Sequence, residues 1–236
     1  MCGRYKLTAH EKWLSFLFNL PPEDVEWVAR WNVAPTQEVA TIRQHFREPK
    51  RIFAKMRWGL IPSWAADASI GPRAINAVSE TAADKPAFRE PMRRQRCLIP
   101  ADGFYEWKQT GGKLRQPYKI ELTEGGVFAF AGLWDSWKDP SGKQIVTCTI
   151  LTTAANSLLH DLHHRMPVIL SPDDYDRWLD PGITNPKHVS DLLKPFDARK
   201  LRKAPVGSAV NKATNDSPDC AEEIEDDLAE QLGFFK

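Results

Sequence analysis

The chain has 236 residues, 42% of them hydrophobic and 27% charged, with a formal net charge of +1. That length buries a full core and fits one larger domain or two small ones, of which we favour one. Cys2, Cys97, Cys148 and Cys220 form no CxxC pair and have no histidine at ligand spacing, which excludes a zinc site or a disulfide framework as a reading of the pattern; no metal and no cofactor is expected. Basic residues outnumber acidic ones over 1–165, and the reverse holds over 166–236. A basic body with an acidic tail suits a protein that meets nucleic acid, and it is also ordinary for a soluble fold.

Thr8 followed by Glu11 forms a capping box ahead of Trp13, Leu14, Phe16, Leu17 and Leu20, which lie mostly on one helical face before Pro21-Pro22 ends the helix. This apolar patch is too short to span a membrane and lacks a small-residue cleavage site. The protein is therefore read as soluble and cytoplasmic, nucleoid-associated if prokaryotic, with no signal peptide and no membrane partner. Short apolar or alternating runs then recur at Glu38 to Ile42, Arg51 to Trp58, Cys97 to Ile99, Tyr118 to Leu122, Val127 to Leu133 and Ile145 to Leu151. Gly111-Gly112, Gly125-Gly126 and Asp139-Pro140-Ser141-Gly142 punctuate them as turns. Helices are predicted again over Ala154 to Leu162 and over Ser171 to Leu179, with Ser171 as cap and Pro172 in the first turn. Strand–helix alternation, internal repeats and a glycine-rich phosphate loop are all missing from the pattern. The fold class is α+β: a single domain with a curved, barrel-like antiparallel β-sheet flanked by helices, over residues 1–215. Residues 216–236 form an acidic C-terminal tail or short helix, in which Ile224, Leu228 and Leu232 fall four apart; a packed helix, a disordered end and a partner-docking segment all fit.

The chemistry starts at Cys2. Removal of Met1 would leave an amine and a thiol on one residue at the very start of the chain. An α-amino group has a reference pKa of about 7.7 to 8.0, so near neutral pH roughly a quarter of it is nucleophilic, against about a thousandth of a lysine. It can attack an aldehyde, and the neighbouring thiol can then close a five-membered thiazolidine. Such chemistry needs a group to hold the aldehyde and a proton carrier. Asn76, Glu106 and His163 are polar residues in apolar settings and are the candidates, each with a structural alternative. Glu106, between Tyr105 and Trp107, has the surroundings that raise a carboxyl pKa, or it is a strand residue paired with Lys108. Among nine tryptophans, Trp58 and Trp64 bracket Gly59 and Pro62 and could present indole faces to unstacked bases, or belong to the core. Cys97 and Cys148 read as buried apolar thiols.

Six segments occur together in order: Met1-Cys2-Gly3-Arg4, Trp31-Asn32-Val33-Ala34-Pro35-Thr36, Trp58-Gly59-Leu60-Ile61-Pro62-Ser63-Trp64, Asn76-Ala77 with Glu80-Thr81, Pro100 to Trp107, and His163-His164-Arg165-Met166-Pro167. In this the chain resembles the SRAP family, the SOS-response-associated peptidase-like or abasic-site processing proteins, over residues 2 to about 170, with Val206 to Asn211 similar to a later family element. The resemblance implies an SRAP-type fold and a DNA-damage protein that senses abasic sites in single-stranded DNA. It would crosslink to them as a thiazolidine through Cys2, shielding the lesion, and act as a monomer. Carried over by position, Asn76 would hold the opened deoxyribose, Glu106 would shuttle protons, and His163 would act at the Schiff-base stage. Arg4, Trp58, Trp64, Arg73 and Arg165 would contact DNA, and the basic cluster Arg93-Arg94-Gln95-Arg96 contributes or is a solvated loop. Self-removal of Met1 would account for the peptidase label, and strand scission from the imine would be a lyase variant. Val78 stands where members often carry an arginine, a phosphate contact that Arg73 could replace. Two other readings use the same residues: an N-terminal-nucleophile cysteine hydrolase acting on peptides, and a non-covalent single-strand-binding module.

Overall fold

A computed structural model describes residues 2–45, 48, 50–109 and 115–225. Two β-layers share one core. The first is an open, all-antiparallel sheet in which β1 (Tyr5–Leu7) lies between β2 (Arg30–Val33) and β7 (Gly103–Gln109), followed by β8 (Arg115–Leu122) and β13 (Leu201–Pro205). The second contains β3 (Glu38–Gln44), β4 (Arg51–Trp58), β6 (Arg96–Ala101), β9 (Phe128–Lys138) and β10 (Gln144–Ala154). These run in the order β10-β4-β3-β6-β9, and β9 pairs back to β10, so five strands close a barrel with no free edge among themselves. Short strands β5 (Asn76–Val78), β11 (Arg165–Pro167) and β12 (Ile169–Leu170) add to β10 and β9. The six predicted strand runs fall on β3, β4, β6, β8, β9 and β10. The sheet is not wholly antiparallel, since β10 pairs parallel with both β4 and β5.

Burial follows closure. β6 and most of β9 and β10 are buried residue after residue, because one face fills the barrel and the other meets helices and loops. Tyr5, Trp58 and Phe130 meet edge to face in this core, with ring centroids 5.6 and 5.8 Å from Tyr5. Cys97 and Cys148 are fully buried free thiols, as expected.

The helices are short: α1 (Glu11–Phe18), α2 (Ser79–Ala82), α3 (Arg89–Arg94) and α4 (Tyr175–Leu179). The predicted capping box is replaced. Thr8 donates both its amide and its hydroxyl to the Asp102 carboxylate, at 2.6 and 2.7 Å, so the helix starts later with His10 as cap, its Nδ1 accepting from the Lys12 amide. A carboxylate outcompetes a helix end as partner for a hydroxyl because the bond is charge-assisted. The helix predicted over 154–162 does not form. Strand β10 runs on to Ala154, and Asn156 then accepts from the Leu159 amide and donates to the Phe196 carbonyl, which turns the backbone locally instead. The predicted 171–179 helix divides into a 3-10 turn, Pro172–Asp174, and α4, and Ser171 makes no side-chain cap bond.

The acidic segment begins as a packed part of the body. Asp216 accepts from the amides of Trp31 and Asn32 and pairs with Arg30, Cys220 is buried, and Glu223 pairs with Lys119 and Arg202. The helical spacing read at Leu228 and Leu232 lies outside the described residues. Among the described residues no helix is long and apolar enough to cross a membrane.

Gly59 fixes the segment that carries Asn76. Its φ is +126°, and a Cβ there would sit 2.6 Å from the Gly71 carbonyl oxygen. This close approach lets the Gly59 amide bond Cys148 and the Leu60 amide bond Ala74, drawing 71–78 against β10. Gly59→Ala should therefore lower stability by about 1–3 kcal/mol or more, read as a lower urea midpoint. An unchanged midpoint would show that the turn relaxes freely.

Candidate active site

The chain enters the fold through its second residue. Cys2 is completely buried just before β1, and its carbonyl accepts a 2.8 Å hydrogen bond from Asn76 Nδ2. Asn76 opens β5 opposite Ile150 of β10. Its approach is set by the residue before it, because the Ile75 carbonyl accepts from the Trp58 indole at 2.8 Å and from the Ile150 amide at 3.1 Å. The other amide atom of Asn76, Oδ1, is buried with no hydrogen-bond partner among the described residues. Buried polar atoms are nearly always satisfied, so an orphan acceptor beside Cys2 marks a place for a donor from outside the chain.

Glu106 reaches the same place from β7. The Tyr105 amide bonds the Arg4 carbonyl at 3.0 Å, which sets β7 against the start of the chain. Burial raises the Glu106 carboxyl above its usual range. Burial likewise raises the Cys2 thiol, and the Glu106 charge raises it further, so the sulfur is held protonated beside a group able to take its proton. His163 lies across a cleft of about 600 Å³ whose walls include Glu106, Trp107, Arg115, His160 and His163. Its Nδ1 accepts from the Arg165 amide at 2.9 Å. Burial lowers its pKa, with neighbouring positive charge and His164 acting the same way.

The four expected reactive residues thus gather: Asn76 bonds the Cys2 carbonyl, the Glu106 charge acts on the Cys2 thiol, and His163 lines the same cleft as Glu106. A buried thiol, an oriented amide, a carboxyl shifted upward and an imidazole shifted downward can hold a carbonyl compound and pass protons to and from it. Among the described residues no cluster of three or more potential metal ligands occurs.

The expected DNA contacts separate into two groups. Trp64 is 63% exposed and Arg73 is exposed at the end of the 3-10 turn Ala68–Arg73, so both are free to meet a ligand. Trp58 cannot stack on a base: it is fully buried against Tyr5 and serves instead to hold Ile75. Arg4 donates through Nη1 to Asn32 Oδ1 and to the Val210 carbonyl, at 2.9 and 2.8 Å, and is half-buried. Arg165 is forked onto Glu80. Of the basic cluster, Arg93 and Arg94 are exposed, whereas Arg96 is buried and donates to the carbonyls of Met92, Trp178 and Asp180. Two features of the site had no signal of their own: Tyr5, fully buried in β1 as an ordinary strand aromatic would be, and the Glu80–Arg165 pairing, which spans 85 positions that only the folded sheet brings together.

Residues 1–213 match the family described as SOS response associated peptidase (SRAP). YoqW of Bacillus subtilis, named an abasic site processing protein, is 43% identical over 225 residues, covering 94% of this chain and 99% of its own. HMCES of Gallus gallus, given the same description, is 32% identical over 208 residues, or 78% of this chain and 61% of that protein. Among solved structures, a protein from Bacteroides thetaiotaomicron superposes with a TM-score of 0.82 at 26% identity, over 95% of this chain and all of that one. One from Bordetella bronchiseptica gives 0.74 at 31% identity, over 87% of this chain and all of that one. With a family match over nine-tenths of its length and a geometry that gathers the family's motifs around one buried cysteine, the chain belongs to the SRAP family.

Proposed function

We propose that this protein processes abasic sites in DNA, acting as a monomer on single strands and joining the lesion through Cys2. The carrying observation is the buried Asn76 amide, which binds the Cys2 carbonyl with one atom and offers an unpartnered acceptor with the other. An opened deoxyribose supplies the missing donor, a hydroxyl, on the carbon chain that also bears the aldehyde. The names of YoqW and HMCES, relatives that cover most of the chain, support the same substrate.

The reaction runs as follows once Met1 is gone. The Cys2 amine attacks the C1′ aldehyde carbon, giving a carbinolamine, which loses water to form an imine. Glu106, with its raised pKa, donates the proton that the departing hydroxyl needs. Loss of that hydroxyl as water leaves the imine protonated; the Cys2 thiol then passes its proton to the carboxylate while sulfur bonds to the imine carbon and the C=N electron pair returns to nitrogen, which already carries the hydrogen of the thiazolidine ring. No oxidant or reductant is consumed. Removal of Met1 uses the same thiol as nucleophile on the preceding carbonyl, with water completing the hydrolysis. Trp64 and Arg73, exposed on the segments flanking Gly59 and Asn76, meet the strand by base stacking and phosphate contact. Arg165 contributes a phosphate contact only where the backbone displaces Glu80. If the imine outlives closure, β-elimination cuts the strand, which is the lyase outcome.

An abasic single-stranded oligonucleotide mixed with processed protein should give a denaturation-resistant band, lost in both Cys2→Ala and Cys2→Ser. Crosslinking by either variant at the parent rate sinks the aminothiol chemistry, and turnover of a peptide substrate without DNA would favour the hydrolase instead. Glu106→Gln should slow adduct formation by roughly 10²- to 10⁴-fold with DNA affinity nearly intact. In the parent, the limb of rate against pH that reports Glu106 should lie above 4.5 and fall with rising pH, because the protonated carboxyl that expels the hydroxyl is lost as pH rises through its raised value; a limb below 4.5 contradicts this role. Trp64→Ala should weaken strand binding by about 1–3 kcal/mol by fluorescence anisotropy, whereas equal affinity would remove it from the interface.

A further inference from the structure

His163 leaves the turn over 157–162 just before β11, and its ring meets the backbone two residues on. Nδ1 lies 2.9 Å from the Arg165 amide nitrogen and 3.3 Å from the Arg165 carbonyl oxygen. An amide N–H can only donate, so the shorter contact requires Nδ1 to accept. A neutral ring then carries its proton on Nε2. Protonating the ring would abolish that acceptor and force Nδ1 onto the longer contact with the carbonyl.

What holds this amide in place is unusual for so short a strand. β11 has three residues and pairs only with β10 at the edge of its sheet, and Arg165 is its first residue. A strand end with so little pairing frays readily. Its side chain, however, is tied down three times: Nη1 donates to Glu80 Oε1 at 2.7 Å, and Nη2 donates to Glu80 Oε2 at 2.6 Å and to the Thr152 carbonyl at 2.5 Å. Glu80 sits on α2, directly after β5, so the clamp links the element that carries Asn76 to the one that follows His163.

We propose that Glu80 is a positioning residue for His163: its carboxylate forks Arg165, which fixes the Arg165 amide on His163 Nδ1 and presents Nε2–H to the cleft shared with Glu106. The inference rests on the reading of His163 as part of the abasic-site reaction and specifies its form. The ring is a neutral hydrogen-bond donor, suited to stabilising the carbinolamine oxygen or the opened sugar hydroxyl, while the proton inventory stays with Glu106. An exposed ion pair contributes little to stability. Its value here is geometric, because a bidentate fork fixes direction as well as distance.

The charged and titratable groups around His163 are the stacked His164 ring, whose centroid is 4.3 Å away, Arg165 itself, and Glu106, Arg115, His160 and Asp161, which line the same cleft; the amino terminus acts on it electrostatically. Removing Glu80 takes away an anion beside Arg165, which by charge alone would depress the His163 titration further. Loss of the amide contact acts the other way, since it frees the ring to protonate. The sign of the shift therefore separates the two.

The test is long-range 1H–15N NMR on the 15N-labelled full chain without DNA, with His163 assigned by its absence in His163→Gln. The parent should show Nε2 protonated and Nδ1 unprotonated. Glu80→Gln and Glu80→Ala, which change an exposed side chain, should move the two nitrogens toward averaged shifts and raise the titration midpoint toward the ordinary imidazole value of about 6.5. A protonated Nδ1 in the parent overturns the proposal, as does a midpoint that stays put or falls in both variants. Because no DNA is present, these spectra answer for Glu80 independently. Failure of the crosslinking assay would strike the abasic-site reading and leave the tautomer assignment standing.

Discussion

The hydrogen bond from Asn76 to the Cys2 carbonyl is the constraint around which the site is organised. Chain starts are normally solvated and mobile, because nothing compensates the entropy of fixing them. Here β1 is inserted between β2 and β7, so Cys2, three positions before it, is drawn beneath the surface and one amide gives its backbone a single orientation. A reactive amine on such a residue starts each encounter already aimed, which is where the advantage of an intramolecular step comes from. The same bond explains the investment in Gly59 and Trp58. One permits a close backbone crossing and the other grips Ile75, and both act one residue or one strand away from the amide they place.

Dryness has consequences of opposite sign for the two proton carriers. Burial penalises charge, so it pushes the Glu106 carboxyl up and the His163 imidazole down. Two groups whose free values lie about two units apart are thereby brought toward each other. The Cys2 thiol, raised by the same burial, cannot ionise unaided. In the proposed reaction, sulfur attack is thus tied to a proton transfer onto Glu106, which would place closure after imine formation has left that carboxylate free.

The barrel strands were legible because their signal is local: apolar runs between turn residues, in Arg51 to Trp58 or Ile145 to Leu151, read the same in isolation and in the fold. Cys2, Asn76, Glu106 and His163 were likewise picked out locally, each from a distinct motif, and their reactive roles belong to the proposal. What the sequence could not show depends on contacts across the fold. Thr8 and Glu11 make a valid capping box until Asp102, 94 residues away, offers Thr8 a stronger partner. Leu158 to Leu162 have helical spacing until Asn156 diverts the backbone. Trp58 and Trp64 look equivalent in their motif, but only one lies inside the closed barrel, and barrel closure is not a property of any one segment. Glu80 and Arg165 are two charges in two motifs whose relation is set by β5 and β11 flanking β10.

Arg4 shows how the site is tied to the rest of the chain. Its guanidinium joins Asn32 Oδ1 and the Val210 carbonyl, and Asn32 in turn donates to the carbonyls of Val210, Lys212 and Asn215. Asp216 completes the clasp from the other side by accepting the Trp31 and Asn32 amides. The buried asparagine of the Trp31–Thr36 segment is therefore a knot between the chain's beginning and its acidic end, with every amide proton and acceptor used. Arg4 is a partner in this knot through Nη1 alone, so the remaining donors of its half-buried guanidinium stay outside the knot. Its ties make it a group that holds Cys2 in register with β7 and β2. In the proposed reading, exposed groups such as Trp64 and Arg73 add to the capture of the strand without giving up an internal bond.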